Sequence, residues 1–215
     1  MNHSPTTTHR LPASDRRRQL LATARDFFSR KGFDGATTKE IAAAAGVTEA
    51  IIFRHFSSKQ ALYTAVLDDY HACGGFAECM AEWQAFMDRK DDEGLIRSMV
   101  QRIIESYRCD QRQHRILMFA ALEGHEIGLE HNRQLSLPVY EMLRQYVTRR
   151  QRVGAIVECD PGAIIGAVAG MASHYGMMTG MFGFGAGADD PKVATAFVRI
   201  LMSGIRGKKA VKGKK

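Results

Sequence analysis

The stretch TTKEIAAAAGVTEAIIFRHFSSKQAL, residues 37–62, contains several helix start and stop signals within a short length. Thr37 and Glu40 have the spacing of a capping box, in which each side chain bonds the backbone of the other residue at a helix N-terminus. Gly46 interrupts the pattern that follows, and Thr48 is a suitable cap for another helix. The stretch therefore predicts a helix, a tight turn at the glycine and a second, very short helix.

Helices are also predicted on both sides of this stretch. Ser57 and Gln60 repeat the capping-box spacing and open a helix that runs to about Cys73. Upstream, Ser14 is a candidate cap for a helix through about Lys31, whose apolar residues recur at the spacing that defines one helix face. The helix-turn-helix pair is thus expected to lie inside a small helical domain.

The very short helix has two different faces. Ile52 and Phe56 are four residues apart and are expected to pack inward. Ala50, Ile51 and Arg54 then lie on the roughly opposite side. A helix, a glycine turn and a short helix form the helix-turn-helix plan, whose second helix enters the DNA major groove. A rotation of this helix by one residue would place Ile51 in the core instead.

These residues resemble the N-terminal domain of the tetracycline-repressor (TetR) family of bacterial transcriptional regulators. The resemblance covers about residues 14–73 and consists of an ordered series of short matches. They are GF at residues 32–33, TT at 37–38, IA at 41–42, AGV at 45–47, an aromatic at Phe53, and SKQAL at 58–62. The resemblance implies an all-α protein with an N-terminal three-helix DNA-binding domain and a larger helical domain for ligand binding and dimerisation.

The resemblance also implies roles for individual positions. Thr38, His55 and Lys59 match positions that touch phosphate, and Lys39 matches a position that contacts bases. On the recognition helix the contact positions are Thr48, Glu49, Ala50, Ile51 and Phe53. Arg54 is a further candidate for a DNA contact because it lies on the outward side of this helix. A glutamate there can accept a hydrogen bond from cytosine, and an isoleucine can pack on a thymine methyl group. For the lysines and the histidine, an ordinary exposed surface position is the alternative interpretation.

Three of these positions depart from the usual family pattern. Many members carry glycine where Ala50 stands, a hydroxyl residue where Ile51 stands and tyrosine where Phe53 stands. The recognition face is therefore more apolar than is usual, and Phe53 lacks a hydroxyl group for phosphate. The operator sequence of a relative cannot be assumed for this chain.

Charge is distributed unevenly along the 215 residues, whose net charge is +7. Residues 1–60 hold ten Lys/Arg and five Asp/Glu, residues 61–205 hold fourteen and eighteen, and residues 206–215 hold six and none, which gives +5, −4 and +6. A basic start and tail favour a polyanionic partner and exclude nothing by themselves. The tail is equally well explained as a solubilising end.

The remaining sequence predicts further helices and little else, because strand alternation and hairpin turns are almost absent. The predicted spans are 76–89, 92–109, 111–124, 128–153, 160–182 and 190–206. The expected domains are a disordered arm at 1–13, a TetR-type DNA-binding domain at 14–74, a helical ligand-binding and dimerisation domain at 75–206, and a basic tail at 207–215.

The larger domain is expected to hold a small hydrophobic effector and to form a homodimer, as the resemblance implies. Candidate pocket residues are Trp83, Phe86, Met87, Met118, Phe119, Met142, Tyr175 and Met178, although such residues at helical spacing also form ordinary cores. Candidate interface residues are Gly166, Gly170, Phe197, Ile200 and Leu201. The expected partners are therefore double-stranded operator DNA, the effector and a second copy of the chain.

Other classes of protein are less well supported by the sequence. Residues 162–188 lack charged side chains, but eight glycines favour a buried, self-associating helix over a membrane span. The four cysteines show no C-x-x-C spacing, so we expect a reduced cytoplasmic chain. His125 and His131 are six residues apart, which does not place them on one helix face, and no metal or cofactor is predicted. A nonspecific nucleoid-type DNA-binding protein and an all-helical enzyme remain the alternatives.

Overall fold

The computed structural model describes residues 12–73, 75–185 and 189–207, without the side chains of residues 70–73. Every regular element in these ranges is a helix, which confirms the all-α prediction. The described residues form two compact units. The first contains residues 12–73 and 115–129, and the second contains residues 75–114, 130–185 and 189–207. The expected arm and basic tail lie outside the described residues, except for Pro12, Ala13 and Gly207.

Ten helices are present within the described ranges. They are α1 (Ala13–Gly35), α2 (Thr38–Ala44), α3 (Glu49–His55), α4 (Lys59–Cys73), α5 (Phe76–Asp88), α6 (Asp92–Cys109), α7 (Arg112–Glu123), α8 (Glu126–Arg152), α9 (Pro161–Gly180) and α10 (Asp190–Ile205). Each predicted span corresponds to one of these helices, with differences of a few residues at the ends.

Helix ends in the first unit differ from the sequence prediction at two serines. The first helix starts one residue before Ser14, after Pro12, and no side chain caps it. The cap of α4 is Ser58 and not Ser57, because the backbone N–H of Ala61 donates to Ser58 Oγ at 3.0 Å. The predicted capping box of Thr37 is confirmed.

The segment 115–129 belongs to the first unit, although the sequence placed it in the larger domain. Arg115 Nε donates to the carbonyl oxygen of Ser29 at 2.7 Å, and the backbone N–H of Phe33 donates to Glu123 Oε2 at 3.0 Å. Ile116 joins the core around α1. These contacts are far apart in the sequence, so helix periodicity gave no sign of them.

The second unit has its own apolar core, formed by residues of α5, α6, α8, α9 and α10. Asp160 accepts a hydrogen bond from the backbone N–H of Gly162 at 2.9 Å, and Pro161 opens α9, as the sequence predicted. None of the described helices combines the length and the apolar character that crossing a membrane requires.

Candidate nucleic-acid interface

Helix α3 is anchored by one face and presents the other to solvent. Ile52 is completely buried and Phe56 is 5% exposed, and both join the core that contains Ile41. Phe53 on the other side is 47% exposed, and Ala50 is exposed as well. The predicted orientation of α3 is confirmed.

Ile51 and Arg54 lie beside this outward face. Ile51 is half-buried and Arg54 is exposed. Both line a surface groove of about 430 Å³ in the first unit. The groove is formed by Ala13, Arg16, Gly46, Val47, Thr48, Ile51, Arg54 and His55. Its lining therefore combines two guanidinium groups with apolar side chains of the helix-turn-helix.

His55 occupies an unusual place in this groove. Its Nε2 atom is buried and has no hydrogen-bond partner among the described residues. A buried polar nitrogen without a partner is unfavourable. The lining of the groove thus includes three nitrogen-bearing side chains, those of Arg16, Arg54 and His55.

The turn between α2 and α3 is held by backbone and side-chain hydrogen bonds. Gly46 has a φ of +67°, which favours glycine. The backbone N–H of Val47 donates to the carbonyl oxygen of Ala42 at 3.0 Å. From α1, Gln19 Nε2 donates to the carbonyl oxygen of Ala45 at 3.2 Å. The turn is thus held by groups outside the recognition face.

The remaining predicted DNA contacts have different surroundings. Lys39 is exposed at the start of α2. Thr38 is only 9% exposed, and its hydroxyl donates to the carboxylate of Glu49. The Lys59 ammonium lies 4.4 Å from the ring centroid of Phe33, so this cation is partly engaged inside the protein. Thr48 is exposed at the N-cap of α3 and makes no side-chain cap bond.

The eight candidate pocket residues divide between the two units. Trp83 and Met87 belong to the core of the second unit, where Trp83 Nε1 donates to Ser98 Oγ at 3.1 Å. Phe86, Met142 and Tyr175 are half-buried against the same core, and Met178 is also half-buried. Met118 and Phe119 lie in the segment that joins the first unit. Helical spacing showed that these residues are partly buried and did not show which space they face.

A different set of residues encloses an apolar cavity of about 30 Å³ in the second unit. Its lining is Asp92, Leu95, Ile96, Met99, Leu143, Tyr146, Val147, Ile156, Ile164, Ile165, Val168 and Ile205. The volume is that of about two water molecules. Its polar end is satisfied, because Arg150 Nη2 and Tyr146 Oη donate to Asp92 at 2.8 Å and 2.6 Å. Nothing in the sequence distinguished these residues from an ordinary core.

The candidate interface residues divide between surface and core. Gly166 and Gly170 are exposed, with nothing within 4 Å of the position a Cβ would take, and Ile200 is 58% exposed. Phe197 is half-buried, with its ring centroid 5.8 Å from that of Tyr175. The prediction for Leu201 is wrong, because it is 6% exposed and packs into the core of its own unit.

The exposed side of α9 carries small residues in a continuous row: Ala163, Gly166, Ala167 and Gly170. Their spacing of three and four places them on one helix face. Most of the residues between them, such as Ile164, Ile165 and Val168, are buried. The inner face of α9 is apolar and its outer face carries this row of small residues, so a second helix could approach the outer face closely.

Comparison with known proteins agrees with this geometry. Residues 20–66 match the model of the family described as bacterial regulatory proteins, tetR family. The HTH-type transcriptional activator FasR of Mycolicibacterium smegmatis is 32% identical over 111 residues, which are 51% of this chain and 48% of FasR. The HTH-type transcriptional regulator TtgR of Pseudomonas putida is 28% identical over 150 residues, 70% of this chain and 63% of TtgR. The chain thus spans between about half and two thirds of these relatives.

Among solved structures, AibR in complex with isovaleryl coenzyme A and operator DNA shares the fold. Its TM-score is 0.65 at 18% identity, and the match covers 88% of this chain and 99% of that one. The first unit is a helix-turn-helix domain of the DNA-binding class. Residues 20–66, within this unit, match the TetR family.

Proposed function

We propose that the chain is a homodimeric transcriptional repressor that binds a pseudo-palindromic operator and leaves it when a small hydrophobic ligand binds the second unit. The observation that carries the proposal is the two-sided helix α3. Ile52 and Phe56 anchor it, while Ala50, Phe53 and Arg54 are exposed where DNA would contact them. The relation to HTH-type regulators supports the same class of function.

The exposed groups suit a mixed base and phosphate contact. Ile51 and Phe53 supply apolar surface for thymine methyl groups, and Lys39 and Arg54 supply cations for guanine or phosphate. The groove that Arg16 and His55 share suits a backbone phosphate. Such contacts release counterions, so affinity is expected to fall as salt concentration rises.

A dimer is required by the size of the reading element. Helix α3 has seven residues and reaches few base pairs, whereas two copies about 34 Å apart read two half-sites on one side of the duplex. The exposed row of small residues on α9, together with Ile200 on α10, is the surface we propose for the interface. Its burial in a partner would remove an exposed apolar patch from water.

The ligand is proposed to enter the apolar cavity of the second unit. Because the cavity holds about two waters and its single acidic side chain is already paired, the ligand's buried part must be compact, apolar and uncharged. A bound ligand shifts the protein only by its differential affinity for the two conformations. The AibR complex, which contains both isovaleryl coenzyme A and operator DNA, is a precedent for one fold holding both kinds of partner.

The proposal is tested by selecting binding sites from random duplex DNA and titrating the best one at two salt concentrations. An inverted repeat with a steep sequence preference is expected. Ile51→Ala should weaken operator binding and lower the free energy of unfolding by only about 1 kcal/mol, because Ile51 is half-buried. Ile52→Ala, one residue along, should instead cost about 2–5 kcal/mol of stability because it empties a core position. Recovery of no motif would refute the operator proposal.

A nonspecific DNA-binding protein is the second candidate, favoured by the +5 charge of residues 1–60. It predicts no motif in the selection and binding that simply fades with added salt. FasR is named a transcriptional activator. Whether this chain represses or activates transcription therefore needs a separate measurement. Transcription from the selected site, with and without the protein, distinguishes repression from activation.

The ligand site is tested by filling the cavity. Val168→Ile adds a methylene group to the cavity wall and is expected to stabilise the protein by about 1 kcal/mol. The same variant should resist release from DNA by small alcohols such as methanol and ethanol. Val198→Ile is the control, because Val198 is 2% exposed and lies outside the cavity lining. It should overpack the core and leave alcohol-induced release unchanged, and an equal response of both variants would contradict the assignment.

A further inference from the structure

A hydrogen bond joins the first turns of the two helices of the helix-turn-helix. Thr38 is the first residue of α2, and its hydroxyl donates to the carboxylate of Glu49, the first residue of α3. Thr38 is 9% exposed and Glu49 is half-buried, so this contact lies at the edge of the core and not on the outward face.

This bond limits what either residue can do on DNA. A threonine hydroxyl has a single O–H to donate. Thr38 cannot give that hydrogen both to Glu49 and to a phosphate oxygen, and Glu49 would have to release it in order to turn toward a cytosine. The roles that the family resemblance implies for these two residues therefore conflict with the arrangement in the structure.

The bond also completes the bracing of the turn. At the far end of α2, Gln19 Nε2 holds the carbonyl oxygen of Ala45 at 3.2 Å. The backbone bond between Val47 and Ala42 closes the turn itself. Neither of these contacts ties the N-terminal end of α3 to α2. The threonine–glutamate bond supplies that connection, next to the exposed Ala50.

We propose that Glu49 is a positioning residue that sets the angle of the recognition helix through Thr38, and that it does not read a base. The inference rests on the proposed DNA-binding function. It explains how an acidic side chain is accommodated close to phosphates: the carboxylate accepts a hydrogen bond from the protein instead of facing the DNA. Base reading is then left to the apolar residues Ala50, Ile51 and Phe53, together with the cations of Lys39 and Arg54.

The test compares Glu49→Gln, Glu49→Ala, Thr38→Val and Thr38→Ser in the full-length protein. For each variant, operator affinity is measured well below its unfolding temperature, and binding sites are selected again from random duplexes. Glutamine can still accept from threonine, so Glu49→Gln should keep the wild-type motif and bind within about threefold of wild type or more tightly. Thr38→Ser keeps the hydroxyl and should behave like wild type.

Glu49→Ala and Thr38→Val each remove one partner of the hydrogen bond. Each should weaken binding by about tenfold on all operator variants alike, without changing the preferred bases. The double variant Thr38→Val/Glu49→Ala should bind no more weakly than either single variant, because both remove the same contact. A bond that only adds stability would leave the affinity of the folded protein unchanged, which would overturn the inference.

A base-reading glutamate predicts a different result. Glutamine pairs with adenine, so Glu49→Gln would then change the preference at one base pair by about tenfold. That outcome would overturn the positioning role and leave the proposed function intact. Selection of no motif by the wild-type protein would overturn the proposed function, and the positioning role with it.

Discussion

Replacing Gly32 with alanine is expected to destabilise the first unit by about 2–5 kcal/mol. Gly32 has a φ of 72° and a ψ of −175°, a conformation that costs other residues about 1–3 kcal/mol. The new methyl carbon would lie 1.8 Å from Glu123 Oε1, so this carboxylate must move. It would then release the backbone N–H of Phe33, now held at 3.0 Å, which adds about 1–2 kcal/mol.

The free energy of unfolding is measured by urea titration followed by far-UV circular dichroism. Gly46→Ala is the matched control: its φ is +67°, but nothing lies within 4 Å of the added carbon. It should cost only the backbone part, about 1–2 kcal/mol. In a background with Glu123→Ala the clash disappears, so the further cost of Gly32→Ala should fall. A Gly32→Ala protein as stable as wild type, or no less stable than Gly46→Ala, would refute the reasoning.

Two further predictions concern ion pairs. Hydrogen bonds, first from Lys31, lower the pKa of Glu40 from 4.5 to about 2, so its contribution to stability is present above about pH 4.5 and is lost as pH falls toward 2. Glu40→Gln should remove this part of the acid dependence in a titration followed by circular dichroism. Arg150→Met should cost about 3 kcal/mol in urea unfolding, because it leaves the largely buried Asp92 carboxylate unpaired. Arg144→Met, which breaks an exposed pair at 3.9 Å, should cost less than about 0.5 kcal/mol, and equal effects would contradict the prediction.

Local signals in the sequence were sufficient for the helices and for the orientation of α3. The capping box at Thr37, the glycine at position 46 and the proline that opens α9 act through neighbouring backbone groups, so their effect is visible in the sequence itself. The inward side of α3 followed in the same way, because Ile52 and Phe56 are one helical turn apart.

Positions that depend on rotation about a helix axis were harder to predict. Ile200 and Leu201 are neighbours, and both were assigned to the interface. Successive residues of a helix point about 100° apart, so one is exposed and the other lies in the core. The sequence showed that α10 is apolar and did not show where its inner face ends.

The sequence by itself determined that this is an all-helical protein with a helix-turn-helix near its start, because helix capping, turns and amphipathic faces are set by residues close together in the chain. Only the tertiary structure decided that Glu123 supports the end of α1, that Thr38 and Glu49 bond each other, and which side chains enclose the apolar cavity. These features arise where residues distant in sequence meet, and their partners are fixed by the packing of whole helices and not by local spacing.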